Sequence, residues 1–108
     1  TEEVLGDGQV VTGVRAKNKL SNEIIDISAT GFFVAIGHKP NTDIFNAFLK
    51  LDETGYIINK PGTSKTNVNG IFVSGDAADH VYRQAITAAG TGCMAALDAE
   101  RYLASREG

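Results

Sequence analysis

The chain has 108 residues, with 10 Lys and Arg against 13 Asp and Glu, for a formal charge of −3. That balance provides no basic footprint for nucleic acid, and 43% hydrophobic with 21% charged residues argues against disorder and for one small globular domain with a modest core. No apolar run reaches bilayer length, Thr1-Glu2-Glu3 is unlike a signal peptide, and the lone Cys93 excludes an internal disulfide and fits a reducing, cytoplasmic setting.

In chain order, the first third reads as β structure. Val10 to Arg15 is a strand candidate after the turn signal Gly6-Asp7-Gly8, with Glu2 to Leu5 as its hairpin partner. Glu23 to Ile27 comes next as a third short strand. Phe32-Phe33-Val34-Ala35-Ile36 is an unbroken apolar run, the pattern of a strand buried on both faces. It stops at Gly37-His38-Lys39-Pro40-Asn41, where Pro40 lacks a backbone donor and biases Lys39 away from helix.

The second half opens with one irregular helical turn over Thr42 to Phe48. Two short extended pieces lie between Leu49 and Ile58, around Glu53-Thr54-Gly55. Asn59 to Asn69 is rich in turn formers and reads as an exposed loop. Ile71 to Ser74 reads as a strand, and a helix runs from about Asp79 or Gln84 to Ala104. On that helix Gln84, Thr87, Thr91, Asp98 and Arg101 share one side, while Ala85, Ala89, Gly92, Cys93 and Ala96 form a face of small residues suited to close packing. Met94, Leu97 and Leu103 are the expected source of most of its burial.

The richest stretch is Thr66 to Asp76, a loop and an apolar strand ending in a carboxylate on a glycine turn, Gly75-Asp76. In open α/β sheets ligands lie across such strand ends, where an acid can accept hydrogen bonds from ligand hydroxyls. Together with His80-Val81-Tyr82-Arg83-Gln84-Ala85 and the helix Ile86 to Leu103, this stretch resembles the C-terminal region of bacterial low-molecular-weight thioredoxin reductases, two-dinucleotide-binding-domain flavoproteins. Phe33 to Thr42 resembles that family's crossover from its NADPH domain to its FAD domain.

The resemblance implies an α/β fold: part of the three-layer FAD/NAD(P)-binding architecture. Residues 1–30 would be the terminal strands of the NADPH domain, 31–42 the return strand and hinge, and 43–108 the C-terminal part of the FAD-binding domain. It also implies cofactor contacts at Gly75, Asp76, Arg83, Gln84 and Ala85. Asp76 would hold the ribityl chain of FAD, and the helix start at Arg83-Gln84-Ala85 would face the flavin ring, where negative charge gathers on reduction. FAD and NADPH are the implied cofactors and thioredoxin the implied partner.

The glycine fingerprints for FAD and NADPH are absent, and so is the redox-active Cys-x-x-Cys, since Cys93 stands alone. The expectation is therefore an inactive C-terminal fragment whose uncovered strand edges favour a homo-oligomer. A peroxiredoxin-reducing flavoprotein shares this layout, and a non-catalytic flavin-binding or interaction module is the reading from another class. Arg83-Gln84-Ala85 and Gly92-Cys93-Met94 favour thioredoxin reductase. His38 reads as a hinge residue, and His80 as a helix-entry residue with no companion at metal-ligand spacing.

Overall fold

A computed structural model describes residues 1–107. The chain divides into two compact units, Thr1–Gly37 and the stretch from His38 onward.

The first unit is a three-stranded antiparallel sheet in the order β1-β2-β3, with β1 Glu3–Gly6, β2 Val11–Lys17 and β3 Ile24–Ser28. The expected hairpin and third strand are present within a residue or two of their predicted bounds. Asp7 shapes the first turn, its Oδ1 accepting the N–H groups of Gln9 and Val10 at 2.9 Å each. The register sets Arg15 opposite Glu3 on one side and Asp26 on the other. Its guanidinium accordingly bridges all three strands, at 3.3 Å from Glu3 and 2.8 Å from Asp26.

The strand expected at Phe32 to Ile36 does not form. Those residues are irregular, with Phe33 94% and Ile36 90% exposed. A strand needs neighbours for its N–H and C=O groups, and none of the described segments pairs with this one.

The second unit gathers short turns around a small core. A 3₁₀ turn occupies Asp43–Phe45 within the expected irregular turn. The two extended pieces meet through an antiparallel bridge between Leu51 and Ile57. Asp52 builds their connection by accepting the N–H groups of Thr54 and Tyr56. The buried Thr42 clamps this ribbon with a hydroxyl donated to the Gly55 carbonyl. Leu49, Ile57 and Val73 form the core, flanked by Leu51, Val68, Ala77 and Ala78.

Ile71 to Ser74 is not a full strand either. Phe72 bridges Lys65, and the Val73 N–H donates to the Ser64 carbonyl at 2.8 Å, so only one edge is paired. The loop from Asn59 to Asn69 is correspondingly less exposed than its composition implies, because Ser64 is buried beneath the helix.

Helix α1 spans Ala85–Glu107. Its inward face carries Thr87, Ala88, Thr91, Ala95, Asp98 and Tyr102, which reverses the expectation for burial. Met94, Leu97 and Leu103 are exposed, as are Ala85, Ala89, Cys93 and Ala96 of the small-residue face. The physical reason is the partner: α1 packs on hydrogen-bonding turns rather than on a sheet. Thr91 Oγ1 accepts the Gly75 N–H at 2.9 Å, and Asp98 Oδ2 accepts the Ser64 N–H at 3.0 Å and its hydroxyl at 2.8 Å.

Gly70 fits under the far end of this helix. Its φ is +86°, and a Cβ there would lie 2.9 Å from Tyr102 Oη. Gly70→Ala is expected to cost about 1–2 kcal/mol from left-handed strain alone, read as a lower urea midpoint with an unchanged m-value.

Candidate functional site

The site is built from the run Ser74 to Ala85. Gly75 adopts φ +65°, a conformation that lets the chain turn sharply after the extended piece at Phe72 and Val73. Its carbonyl accepts the N–H groups of Ala78 and Asp79 at 3.0 and 2.9 Å, closing the 3₁₀ turn Gly75–Ala77. Asp76 is the middle residue of that turn. Its side chain is exposed and has no hydrogen-bond partner among the described residues.

Asp79 organises the next turn. Its Oδ1 accepts the N–H groups of Val81 at 3.0 Å and Tyr82 at 2.9 Å, and its Oδ2 accepts that of Arg83 at 3.0 Å. Those bonds hold Arg83 at φ +50°, unusual for a residue with a side chain. The Tyr82 N–H above all, joined by those of Arg83 and Val81 and opposed by desolvation, keeps the Asp79 carboxyl below the usual carboxylate range.

Helix α1 starts directly after this turn. The Gln84 carbonyl accepts the Ala88 N–H at 2.9 Å, while the Gln84 N–H donates to Thr87 Oγ1 at 3.2 Å. Ala85 is the first helical residue, at the end where N–H groups lack intrahelical partners and the dipole is positive. The Gln84 side chain folds back, its Nε2 donating to the Tyr82 carbonyl at 3.1 Å.

Asp76 and Arg83 line a common cleft of about 290 Å³, with Tyr56 and Ala77 beside them and His38 to Asn41 completing it. Arg83 Nη1 donates to Tyr56 Oη at 3.3 Å, and the Tyr56 ring lies 5.7 Å from that of His80. Two of the five predicted site residues therefore share a cleft with the segment predicted as the hinge. Gly75 supports it from behind, facing a smaller cavity of about 120 Å³. Gln84 and Ala85 are exposed at the helix start and do not line the cleft.

Sequence reasoning missed two contributors. Tyr56, 5% exposed, supplies the phenol that steadies Arg83. Asp79 supplies the turn itself, and its signal was legible as an Asp preceding three residues whose N–H groups no helix could use.

An acid presented on a glycine turn offers lone pairs to hydroxyl donors, and the cation held beside it offers donors to an anion. Residues 1–92 match the pyridine nucleotide-disulphide oxidoreductase family, and the chain belongs to that family. It is similar to the thioredoxin reductase of Coxiella burnetii, 57% identical over 96% of this chain and 34% of that protein. Thioredoxin reductase 1, mitochondrial, of Arabidopsis thaliana is 52% identical over 94% of this chain and 28% of its own length. The solved structure of thioredoxin reductase from Giardia duodenalis superimposes with a TM-score of 0.73 at 45% identity, covering 94% of this chain and 33% of that one.

The α/β class and the partial FAD/NAD(P)-binding fold are thus those of the matched structures. The chain spans about a third of the length of these relatives.

Proposed function

We propose that this chain is the C-terminal third of an FAD- and NADPH-dependent thioredoxin-disulfide reductase and supplies the ribityl-facing side of its flavin site. The observation that carries this reading is the exposed, unpartnered Asp76 in one cleft with Arg83 and the His38 to Asn41 segment. The cleft is at the small end of ligand sites, so it fits one portion of a dinucleotide and not the whole. Bound FAD would carry electrons between NADPH and a disulfide.

The chain's own residues would position that group. Asp76 would accept hydrogen bonds from ribityl hydroxyls, as a carboxylate with free lone pairs can. The turn set by Asp79 would fix the α1 start; with the Arg83 N–H given to Asp79 and the Gln84 N–H to Thr87, the helix end at Ala85 would present partial positive charge to the flavin ring. Gly75, at φ +65°, would hold the turn that presents Asp76.

The domain reading belongs to the same proposal: residues 1–30 close the NADPH domain, 31–42 cross between domains, and 43–108 belong to the FAD domain. Thioredoxin would be the protein substrate, a homo-oligomer the assembly and the cytoplasm the location. The Arabidopsis relative is mitochondrial by name, so location varies among similar proteins. Among the described residues no helix is long and apolar enough to cross a membrane.

Riboflavin titrated into the 108-residue chain should shift the amide resonances of Asp76, Ala77 and Arg83. Asp76→Ala should weaken that binding about tenfold or more, the scale of one hydrogen bond to a charged group. Shifts confined to other residues would contradict the assignment. The chain alone is expected to show no NADPH oxidation, because it lacks the glycine fingerprint for NADPH, and no thioredoxin reduction, because Cys93 cannot form the dithiol that disulfide exchange requires. Steady absorbance of NADPH in the presence of FAD and thioredoxin is the check.

A further inference from the structure

A cleft of about 830 Å³ lies between the Lys60 to Phe72 segment and the last turns of α1. At 1.5 Å per residue, Arg101 is about 24 Å along the helix from Ala85, and this cleft is separate from the one lined by Asp76. Lys60, Lys65, Arg101 and Arg106 all line it, four of the ten Lys and Arg of a chain whose net charge is −3. None of the four forms an ion pair among the described residues. The one acid in the lining, Asp98, is already engaged by the N–H and hydroxyl of Ser64.

The cleft also has an ordered aromatic wall. Phe72 and Tyr102 meet edge to face with centroids 6.0 Å apart. Arg106 is held over that wall, its Nη1 donating to Tyr102 Oη at 2.7 Å and its guanidinium carbon 5.6 Å from the ring centroid. The Gly70 backbone packs against the phenol end of Tyr102, where a Cβ would lie 2.9 Å from Oη, and so helps to fix the ring. Four cations against the single carboxylate of Asp98, which itself interacts with Lys65 and Arg101, leave the lining net positive and favour an anion, and an aromatic wall offers a flat ring a stacking surface. The volume is that of a small-molecule site.

We propose that this cleft is a second ligand site, for a nucleotide carrying two or more phosphates. The phosphates meet Lys65, Arg101 and Arg106, and the base lies against Tyr102 and Phe72. The site stands independently of the flavin reading, because it shares no lining residue with the Asp76 cleft.

The test is titration of the 108-residue chain with ADP, pyrophosphate and adenosine at low salt, monitored by calorimetry and amide shifts. ADP should bind more tightly than either part alone, weaken as salt rises, and shift Gly70, Phe72 and Tyr102 while leaving Asp76 and Ala77 unmoved. The double variant Lys65→Glu with Arg101→Glu should lose about tenfold or more in ADP affinity, and Lys17→Glu should lose none. Lys65→Gln with Arg101→Gln, confirmed as folded by circular dichroism, repeats the measurement without reversed charge. Equal affinities for ADP and pyrophosphate would overturn the nucleotide assignment. No binding of millimolar ADP, affinity indifferent to the charge variants, or shifts centred on Asp76 would overturn the site.

Discussion

Ile57→Ala is expected to unfold much of the segment from His38 onward at room temperature. Ile57 is one of only three clustered buried apolar side chains, with Leu49 and Val73. Truncating a buried Ile to Ala costs about 2–5 kcal/mol, from lost transfer energy and the cavity left behind. A core this small rarely supplies more than about 3–5 kcal/mol, so the two quantities are of the same size. The loss reaches the site through the backbone, because the Ile57 N–H donates to the Ala77 carbonyl at 2.8 Å and ties the 49–58 ribbon to the turn that presents Asp76. Ile57→Val, at about 0.5–1.5 kcal/mol, should remain folded. Circular dichroism across a urea series separates the two. A fully folded Ile57→Ala protein would mean that the core lies elsewhere.

Asp79→Ala should dismantle the Arg83 turn while leaving α1 helical. Three consecutive N–H groups lose their acceptor, and a left-handed Arg83, strained by about 1–2 kcal/mol relative to helical backbone, loses the bonds that hold it. Amide exchange at residues 81–83 should accelerate by about tenfold or more, and riboflavin binding should fall although Asp79 does not line the cleft. Asp79→Asn should retain part of the turn, since its amide oxygen still accepts but its nitrogen cannot.

The effect has a pH counterpart. The folded-state pKa of Asp79 is depressed, first by the Tyr82 N–H. Its stabilisation is therefore complete above the unfolded-state value of about 3.9 and is lost as pH falls through the lower folded value. The Arg83 amide should stay protected at pH 5 and open only in stronger acid, and opening near neutrality would contradict the assigned bonds.

Local signals in this sequence were reliable and signals of context were not. Asp7 between Gly6 and Gly8, and the β-branched content of Val10, Val11 and Val14, carry their own turn and strand chemistry, so the hairpin is readable. The run from Ala85 onward has helix length and composition, so α1 was readable too. Phe32 to Ile36 and Ile71 to Val73 also have strand composition, yet a strand is completed by neighbours that composition does not specify.

The burial of α1 failed for a related reason. Apolar bulk pointed to Met94, Leu97 and Leu103, but the segments available to pack against it offer N–H groups and hydroxyls, which select Thr87, Thr91 and Asp98. For the candidate site, Asp76 and Arg83 were legible through the motif Gly75-Asp76 and the helix entry. Tyr56 was not, because it lies 27 residues from its partner Arg83 and no local pattern links them. The cationic cleft escaped notice likewise, since Lys60 and Lys65 meet Arg101 and Arg106 only after folding.

Residues that supply one side of a flavin site in a thioredoxin-disulfide reductase should complete the site of a similar enzyme. The most direct test replaces the last third of the Coxiella burnetii thioredoxin reductase with this chain and records the visible absorption of the purified chimera. Flavin retained in the chimera, with NADPH-dependent thioredoxin reduction and loss of flavin on Asp76→Ala, is the predicted result. A chimera that folds by circular dichroism yet is colourless, or that keeps its flavin undiminished with Asp76→Ala, would contradict it.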